Sequence, residues 1–458
     1  MTNSAVSVNP ATGEQVAQYP FVTPDELGDV LGSAAAGQQR WAARSLADRC
    51  DVMRTAAEIM RDDVERLAEL ITTEMGKPIT EARGEVLKCA HTLDWYAEQA
   101  PETLAPVPTA AGPGVQVHYR PLGVVLAVMP WNFPIWQAMR GSVGILLGGN
   151  GYLLKPSPTT VGCAVALQEV YERAGVEHGA FGVLNAANGV VSAALADDVI
   201  VGVTLTGSVA AGSAVAAQAA REIKPSVLEL GGSDPFIVLA DADLDAAVDA
   251  AVTARFQNSG QVCIAAKRII LEEPILEEFT EKFVEQVKAL VVGDPSDAAT
   301  RIGPMARSDL RDQLADQVDR SLEAGATLLV GGEKLPGSGY FYAPTVLSDV
   351  VAGSPGFCEE LFGPVAVLVA ATDAEHAITL ANDSEFGLGS SVWTTDLDRA
   401  EKVAAQIQAG SVFINKVGVS DPRVPIGGIK KSGYGRELSH HALREFTNQQ
   451  TVWCERAE

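Results

Sequence analysis

The chain has 458 residues, too many for one hydrophobic core, so at least two domains are expected. Its apolar residues amount to 47% and its charged residues to 20%, a composition typical of folded globular proteins and unlike that of disordered chains. The 58 acidic and 34 basic side chains give a net charge of −24. This charge disfavours nucleic acids and anionic membranes as partners, because Lys and Arg hold both of them.

No segment of the sequence is predicted to cross a membrane or to direct secretion. The longest apolar run near the middle, residues 122–129, is far shorter than the roughly 20 residues that span a bilayer. The first residues lack the basic and apolar stretches of a secretory signal. Six cysteines are spread without the spacing of zinc or disulfide sites, which predicts reduced thiols, no metal site and a soluble, cytoplasmic protein.

The first quarter of the chain is predicted to be helical. Thr23, Pro24, Asp25 and Glu26 form a capping-box pattern, and helical spacing of apolar residues continues to about residue 99. A proline-rich link at residues 101–113 precedes an alternating, strand-like segment at residues 115–120. The link is either a domain boundary or a surface loop.

From Gly123 onward, short β-rich runs alternate with helical segments. Strands are predicted at residues 124–128, 152–154, 182–184, 201–205 and 227–230, and helices at residues 160–174 and 210–221. This alternation favours right-handed βαβ units and a parallel sheet covered by helices. A second series begins near Phe236 and continues to Phe413, so two α/β domains are expected.

Three local patterns carry residues suited to catalysis. Cys263 ends the segment FQNSGQVC, and a cysteine thiolate is both a good nucleophile and a good leaving group, although a single cysteine is more often a core residue. Glu229, in LELGG, lies at a strand end where a buried carboxylate can act as a general base. Asn132, in MPWNFP, offers a neutral amide donor for an oxyanion.

Two strand-to-helix turns lie at the carboxyl ends of predicted strands, where α/β sheets bind nucleotides. Lys155-Pro156-Ser157 follows one predicted strand, and the glycine-rich turn from Thr206 to Gly212 follows another. The second turn is not a GxGxxG motif, and a plain helix start also accounts for it.

Seven motifs occur in order along the chain: MPWNFP, KPS, LTGSVAAG, LELGG, GQVC, EELFGP and PIGGIKKSGYGRE. Together they resemble the NAD(P)-dependent aldehyde dehydrogenase superfamily over essentially the whole chain. The resemblance implies an α/β fold with a Rossmann-type cofactor-binding domain (residues 1–106 and 121–231), an α/β catalytic domain (232–439) and a small β oligomerisation arm (107–120 and 440–458). It also implies a homo-oligomer, either a dimer or a tetramer.

The same resemblance implies roles for individual residues. Cys263 would be the nucleophile, Glu229 the base for the hydrolytic water, and Asn132 the side-chain half of an oxyanion hole completed by the Cys263 backbone N–H. Glu437 matches a secondary proton-relay glutamate, with a surface residue as the alternative. The residues expected to bind the cofactor are Trp131, Lys155, Ser157, Gly207, Ser208, Glu360 and Phe362.

Within the superfamily, the chain resembles succinate-semialdehyde dehydrogenases most. Arg140 would hold the substrate carboxylate through its planar fork, Ser420 would donate to the same group, and Trp136 would form an apolar wall. Gln257 stands where some members carry a second arginine. Succinate semialdehyde is therefore the predicted substrate, with glutarate semialdehyde or a broader range of aldehydes as the alternatives.

The Lys-Pro-Ser turn predicts a preference for NADP, with NAD possible. NAD-preferring members often carry a glutamate three residues after this lysine, where the chain has Pro158. Its absence removes a like charge from the 2′-phosphate, while Lys155 and Ser157 can bind that phosphate. Alternatively, Pro158 merely starts the next helix and both cofactors are used.

Three rival functions are less well supported. A CoA-acylating enzyme would lack the base at Glu229, a cysteine hydrolase would need a histidine in a recognisable partner motif, and a non-catalytic scaffold would not need all three catalytic residues. No regulatory disulfide is expected at Cys263, because Ile264 and Ala265 follow it where some relatives have a second cysteine.

Overall fold

The computed structural model describes residues 3–455. Its α-helices are α1 Leu27–Ala43, α2 Leu46–Asp62, α3 Val64–Met75, α4 Ile79–Thr103, α5 Pro134–Leu147, α6 Val161–Ala174, α7 Asn188–Ala196, α8 Val209–Arg221, α9 Leu244–Phe256, α10 Leu276–Lys288, α11 Ser308–Glu323, α12 Pro355–Cys358, α13 Ala374–Asn382, α14 Leu397–Ala404 and α15 Ser439–Glu445. Short 3₁₀ helices lie at Gln257–Gly260, Glu273–Ile275 and Lys430–Ser432.

The strands of the same residues are β1 Ser4–Val8, β2 Gln15–Pro20, β3 Val107–Thr109, β4 Gly112–Pro121, β5 Val124–Val128, β6 Gly151–Lys155, β7 Phe181–Val183, β8 Ile200–Thr206, β9 Ser226–Glu229, β10 Asp234–Val238, β11 Ala266–Glu272, β12 Thr327–Val330, β13 Thr345–Ser348, β14 Val365–Ala371, β15 Gly389–Trp393, β16 Ser411–Ile414, β17 Gly433–Tyr434 and β18 Thr447–Trp453.

Two larger sheets organise the molecule. The first has the order β17-β9-β8-β5-β6-β7 and is parallel except for β17. The second has the order β12-β13-β14-β11-β10-β15-β16 and is parallel except for β12. The predicted α/β class with two helix-covered parallel sheets is confirmed.

A third, antiparallel sheet has the order β18-β4-β3 and joins the chain near residue 110 to its C-terminal segment. Six consecutive residues of β18 after Thr447 are exposed. Strand β4 of this sheet contains the strand-like segment that was predicted at residues 115–120.

The structure differs from the sequence prediction in several elements. Helix α4 continues through Pro101 to Thr103, so the proline-rich link begins later than predicted. Strands β13 and β15 were not predicted. Gly433 and Tyr434 form β17, a strand that was not predicted and that pairs with β9 of the first sheet.

The pairing at Gly433 has a steric reason. Gly433 has a φ of +111°, and a Cβ atom there would lie 2.0 Å from the Leu228 carbonyl oxygen. Only glycine allows the two backbones to approach so closely in this conformation. The C-terminal part of the chain can therefore return to the first sheet, and α15 packs against α4 and α5.

The strand order of the first sheet reverses direction at β5. Strand β6 lies on one side of β5 and β8 on the other, so a crevice opens beyond the carboxyl ends of β5 and β8. Open α/β sheets bind ligands at such a switch point. Among the described residues, no helix has the length and apolar character that crossing a membrane requires.

Candidate active site

A cavity of about 520 Å³ lies between the carboxyl ends of the first sheet and the segments that precede β11 and β14 of the second sheet. The residues that line it include Pro130, Trp131, Asn132, Gly207 and Ser208 from the turns after β5 and β8, and Cys263, Glu360 and Phe362 from the segments before β11 and β14. The cavity thus brings together residues up to 256 positions apart in the sequence, from Pro130 to Phe386.

Cys263 lies in a turn just before β11, after a strained segment. Asn258 and Ser259 have φ values of 52° and 53°, and Gly260 follows at 73°. At Gly260 a Cβ atom would lie 2.2 Å from the Gly363 carbonyl oxygen, so no side chain fits there. Left-handed conformations of non-glycine residues are uncommon and cluster at functional sites. Burial raises the pKa of the Cys263 thiol to about 11.

Asn132 is held beside the Cys263 turn by two hydrogen bonds. Its side-chain Nδ2 donates to the Gln261 carbonyl over 3.0 Å, and the Asn258 Nδ2 donates to the Asn132 carbonyl over 2.8 Å. These bonds tie the turn after β5 to the turn before β11. An amide carries two N–H donors, so Asn132 keeps one beyond its bond to Gln261.

Glu229 ends β9 and is buried behind the cavity rather than lining it. Burial, and then the charge of Glu437, raise the pKa of Glu229 to about 8. Glu437 in turn forms a buried ion pair with Arg140, with 2.5 Å between Oε2 and Nε. Glu437 is therefore buried, and the surface alternative for it is wrong.

Arg140, the residue predicted to hold the substrate carboxylate, is buried and pairs with a carboxylate of the chain itself. Its side chain is only 3% exposed and does not line the cavity. Besides the ion pair with Glu437, it donates to Thr206 Oγ1 over 3.4 Å. A buried guanidinium needs a carboxylate partner, and Glu437, almost 300 residues later in the chain, supplies one.

Lys88 contacts both Trp136 and Ser420, the other predicted substrate-binding residues. The Lys88 Nζ lies 3.9 Å from the centroid of the Trp136 ring and donates to Ser420 Oγ over 2.6 Å. Sequence reasoning missed Lys88, because a single lysine on an amphipathic helix is ordinarily a solvent-exposed residue.

Glu360 and Phe362 border the cavity from the segment before β14. The Glu360 carboxylate accepts from the Gly232 N–H over 3.0 Å and from the Lys267 Nζ over 2.8 Å. The Phe362 ring meets Trp131 edge-to-face, with 5.7 Å between centroids. Lys267 was missed by sequence reasoning, although a lysine near the start of the apolar strand β11 was a signal.

Gly231 leaves the space that Glu360 occupies. A Cβ atom at Gly231 would lie 2.3 Å from Glu360 Oε2. The first of the two glycines of LELGG is therefore required by the close approach of the Glu360 carboxylate to the backbone.

The remaining predicted cofactor residues lie at the carboxyl ends of neighbouring strands. Gly207 and Ser208 follow β8, and the Ser208 Oγ caps α8 by accepting from the Ala211 N–H over 3.2 Å. Lys155 ends β6, where burial lowers its pKa, and the Ser157 Oγ lies 3.0 Å from Thr159 Oγ1. Lys155 and Ser157 lie outside the lining of the cavity itself.

These residues fit an anionic dinucleotide. The N-terminus of α8 opens on the cavity, and helix N-termini favour phosphate groups. Pro158 is exposed in a turn, and α6 begins only at Val161, so Pro158 does not start the helix.

The described residues place no group of three or more His, Cys, Asp or Glu side chains where they could hold a metal ion. All six cysteines are free thiols, and Cys358 lines the same cavity as Cys263.

Comparison with known proteins agrees with this geometry. The model of the aldehyde dehydrogenase family matches residues 2–452. The chain is 53% identical over 453 residues to succinate semialdehyde dehydrogenase [NAD(P)+] Sad of Escherichia coli (strain K12), covering 99% of this chain and 98% of that protein. It is 46% identical over 455 residues to succinate-semialdehyde dehydrogenase [NADP(+)] of Mycobacterium avium (strain 104), covering 98% and 96%.

Among solved structures, succinic semialdehyde dehydrogenase from Streptococcus pyogenes in complex with NADP+ matches with a TM-score of 0.96 and 36% identity. The match covers 99% of this chain and 100% of that one. The family model and these relatives cover almost the entire sequence, and the chain belongs to the aldehyde dehydrogenase family.

Proposed function

We propose that the chain oxidises succinate semialdehyde to succinate through a thioester on Cys263, with NADP as the preferred electron acceptor. The observation that carries this proposal is the single cavity lined by Cys263, by Asn132 and by the turns after β5 and β8. The names of the relatives support the choice of substrate and cofactor.

Cys263 and Asn132 perform the first half of the reaction in this proposal. The Cys263 thiol releases its proton to solvent, and the thiolate sulfur adds to the aldehyde carbon. The resulting oxyanion accepts hydrogen bonds from the free Asn132 N–H and from the Cys263 backbone N–H. Removal of one such donor typically costs about 10²–10³ in rate. Because the bonds to Gln261 and Asn258 hold Asn132 in place, little reorganisation is needed during the reaction.

Glu229 performs the second half. Its raised pKa suits a base that takes a proton from water near neutral pH, and the water then attacks the thioester carbon and releases the acid. Arg140 and Glu437 lie behind Glu229, and their buried charges set the field in which it titrates.

The cofactor would be held by the residues around the two strand ends and by the second domain. Lys155 and Ser157 would contact the adenosine ribose and its 2′-phosphate, Ser208 and Gly207 the diphosphate, and Glu360, Phe362 and Trp131 the nicotinamide half. When bound, NADP accepts the hydride that leaves the substrate carbon.

The substrate would enter from the side of Trp136 and Ser420. Trp136 forms an apolar wall and Ser420 a hydroxyl donor suited to the carboxylate of a semialdehyde. Glutarate semialdehyde, one methylene longer, is the second candidate, because a hydrophobic pocket discriminates a methylene by only about 10–200-fold.

We infer the domain organisation and the assembly of the chain from the same structural features. The first sheet and its helices would be the cofactor-binding domain, the second sheet the catalytic domain, and the β18-β4-β3 sheet the arm that joins copies of the chain into a homo-oligomer. The mechanism needs a free Cys263 thiol, which a reducing compartment such as the cytoplasm preserves.

A panel of aldehydes tests the proposal. Succinate semialdehyde, glutarate semialdehyde and butanal are each assayed with NADP and with NAD, and kcat/KM is compared. The proposal predicts the highest value for succinate semialdehyde with NADP. A higher value for butanal, or for NAD with every substrate, would contradict it.

A further inference from the structure

Lys88 on α4 carries a positive charge that has no part in the reaction steps described above. Its side chain is half-buried, and no carboxylate of residues 3–455 lies within ion-pair distance of it. The neighbouring Glu85 is already occupied, since it pairs with Lys77 and accepts the N–H groups of Ile135 and Trp136. A half-buried cation without a carboxylate is costly unless an anion joins it.

The immediate partners of Lys88, the Trp136 ring and the Ser420 hydroxyl, are neutral. Its Nζ lies 3.9 Å from the Trp136 ring centroid, and one of its three N–H groups donates to Ser420 Oγ. Because the Ser420 oxygen accepts from Lys88, the hydroxyl proton of Ser420 stays available for donation. Lys88 and Ser420 together thus present N–H and O–H donors beside one aromatic wall.

Lys88 and Ser420 lie close to residues that surround the nucleophile Cys263. Trp136 precedes Gln137, which lines the cavity together with Cys263. On the other side, Gly418, two residues before Ser420, has its Cβ position 3.8 Å from the Ile264 carbonyl oxygen, and Ile264 follows Cys263 directly. The lysine and the serine therefore lie on elements that flank the Cys263 turn.

We propose that Lys88 binds the carboxylate of the substrate, with Ser420 as the second donor and Trp136 as the wall along the methylene chain. Lys88 thereby takes the role that sequence reasoning assigned to Arg140, whose charge is satisfied by Glu437. The inference rests on the proposed oxidation of a semialdehyde and names the residue that would select it.

The titration of Lys88 gives the proposal a pH signature. Burial, and then the nearby positive charge of Arg140, lower the pKa of Lys88 to about 8. The charged and titratable groups around it are Arg140 from α5, Lys77 from the preceding turn, and Glu85 and Cys89 from its own helix. The free amine predominates above pH 8, so carboxylate binding weakens there.

The main test compares Lys88→Met with Lys88→Arg on succinate semialdehyde and on butanal. Loss of the charged partner is expected to raise KM for succinate semialdehyde by about 30-fold or more, and Lys88→Arg is expected to restore part of the loss. KM and kcat for butanal stay near the wild-type values. Lys416→Met, which removes an exposed positive charge in the same region, is the matched control and leaves both substrates unaffected.

The results that would exclude a role for Lys88 differ from those that would exclude semialdehyde oxidation by this chain. Equal losses on both aldehydes in Lys88→Met would make Lys88 a structural residue and overturn the inference. An unchanged preference of Lys88→Met for the semialdehyde would also overturn it, while leaving the proposed function intact. A wild-type enzyme without any preference for the carboxylated aldehyde would contradict the proposed function itself.

A measurement on the wild type decides the matter if Lys88→Met does not fold. The ratio of kcat/KM for succinate semialdehyde to that for butanal cancels the ionisation of Cys263, which both substrates share. The ratio is expected to fall as the pH rises above about 8. A ratio that stays constant from pH 6.5 to 9.5 would overturn the role of Lys88.

Discussion

Glu229 and Cys263 serve separate halves of the proposed reaction, so their variants are expected to differ in kind. Glu229→Gln retains a burst of one NADPH per active site, while steady-state turnover falls by roughly 10²–10⁴-fold, because only thioester hydrolysis needs the base. Cys263→Ala gives no burst. Rapid mixing with excess succinate semialdehyde measures both, and equal loss of burst and turnover in Glu229→Gln would contradict the assignment.

The raised pKa of Glu229 predicts the pH dependence of turnover. A base must be deprotonated to take a proton, and burial keeps this carboxyl protonated below about pH 8. Steady-state turnover of butanal, which does not involve the substrate-carboxylate site, is expected to rise as the pH increases through 8. In Glu229→Gln the residual rate loses this dependence. A wild-type profile that is flat between pH 6 and 9 would argue against Glu229 as the base.

Arg140 is expected to act on stability and on both substrates alike. Arg140→Met leaves the Glu437 carboxylate buried without a partner, which typically costs about 3–5 kcal/mol in the free energy of unfolding. The double variant Arg140→Met, Glu437→Leu removes both charges and is expected to recover much of that loss. Urea unfolding measures each free energy, and a loss of activity confined to succinate semialdehyde would confirm the prediction that Arg140 binds the substrate carboxylate.

Pro158 is expected to control the choice of cofactor. Pro158→Glu places a carboxylate close to the proposed site of the 2′-phosphate and shifts the kcat/KM ratio toward NAD by about tenfold or more, which is about 1.4 kcal/mol. Pro158→Gln has the same size without the charge and serves as the control. The idea fails if both variants shift the ratio equally or if the wild type prefers NAD.

At the scale of elements, the β18-β4-β3 sheet presents an exposed edge strand. Trp453 of β18 is 62% exposed and Val452 is 38% exposed. Unpaired edges with large apolar side chains favour pairing with another chain. Trp453→Lys is therefore expected to shift the sedimentation coefficient toward that of a monomer at micromolar concentration. A wild type that is itself monomeric would remove the basis of this expectation.

Several elements were predictable because their signals are local. The strands β5, β6, β8 and β9 were recognised from short β-rich runs, and their observed bounds differ from the predicted ones by at most one residue at each end. Strand β17 has two residues and no periodicity of its own. It exists only because the first sheet offers it an edge at β9.

At the scale of the whole molecule, the net charge of −24 repels an anionic substrate and an anionic cofactor. Both must therefore be attracted by local cations. The structure places such cations, Lys88 and Lys155, in partly desolvated surroundings, where charge interactions are stronger than in water.

The sequence alone determined the α/β class and pointed to Cys263, Glu229 and Asn132, because periodicity and motifs depend on neighbouring residues. It could not determine which buried charges meet. Arg140 pairs with Glu437, and Lys88 bonds to Ser420, 332 positions away. Such pairs depend on how the two sheets and the C-terminal segment pack against α4 and α5. That packing places Arg140 against the Glu437 carboxylate and leaves Lys88 without a carboxylate partner.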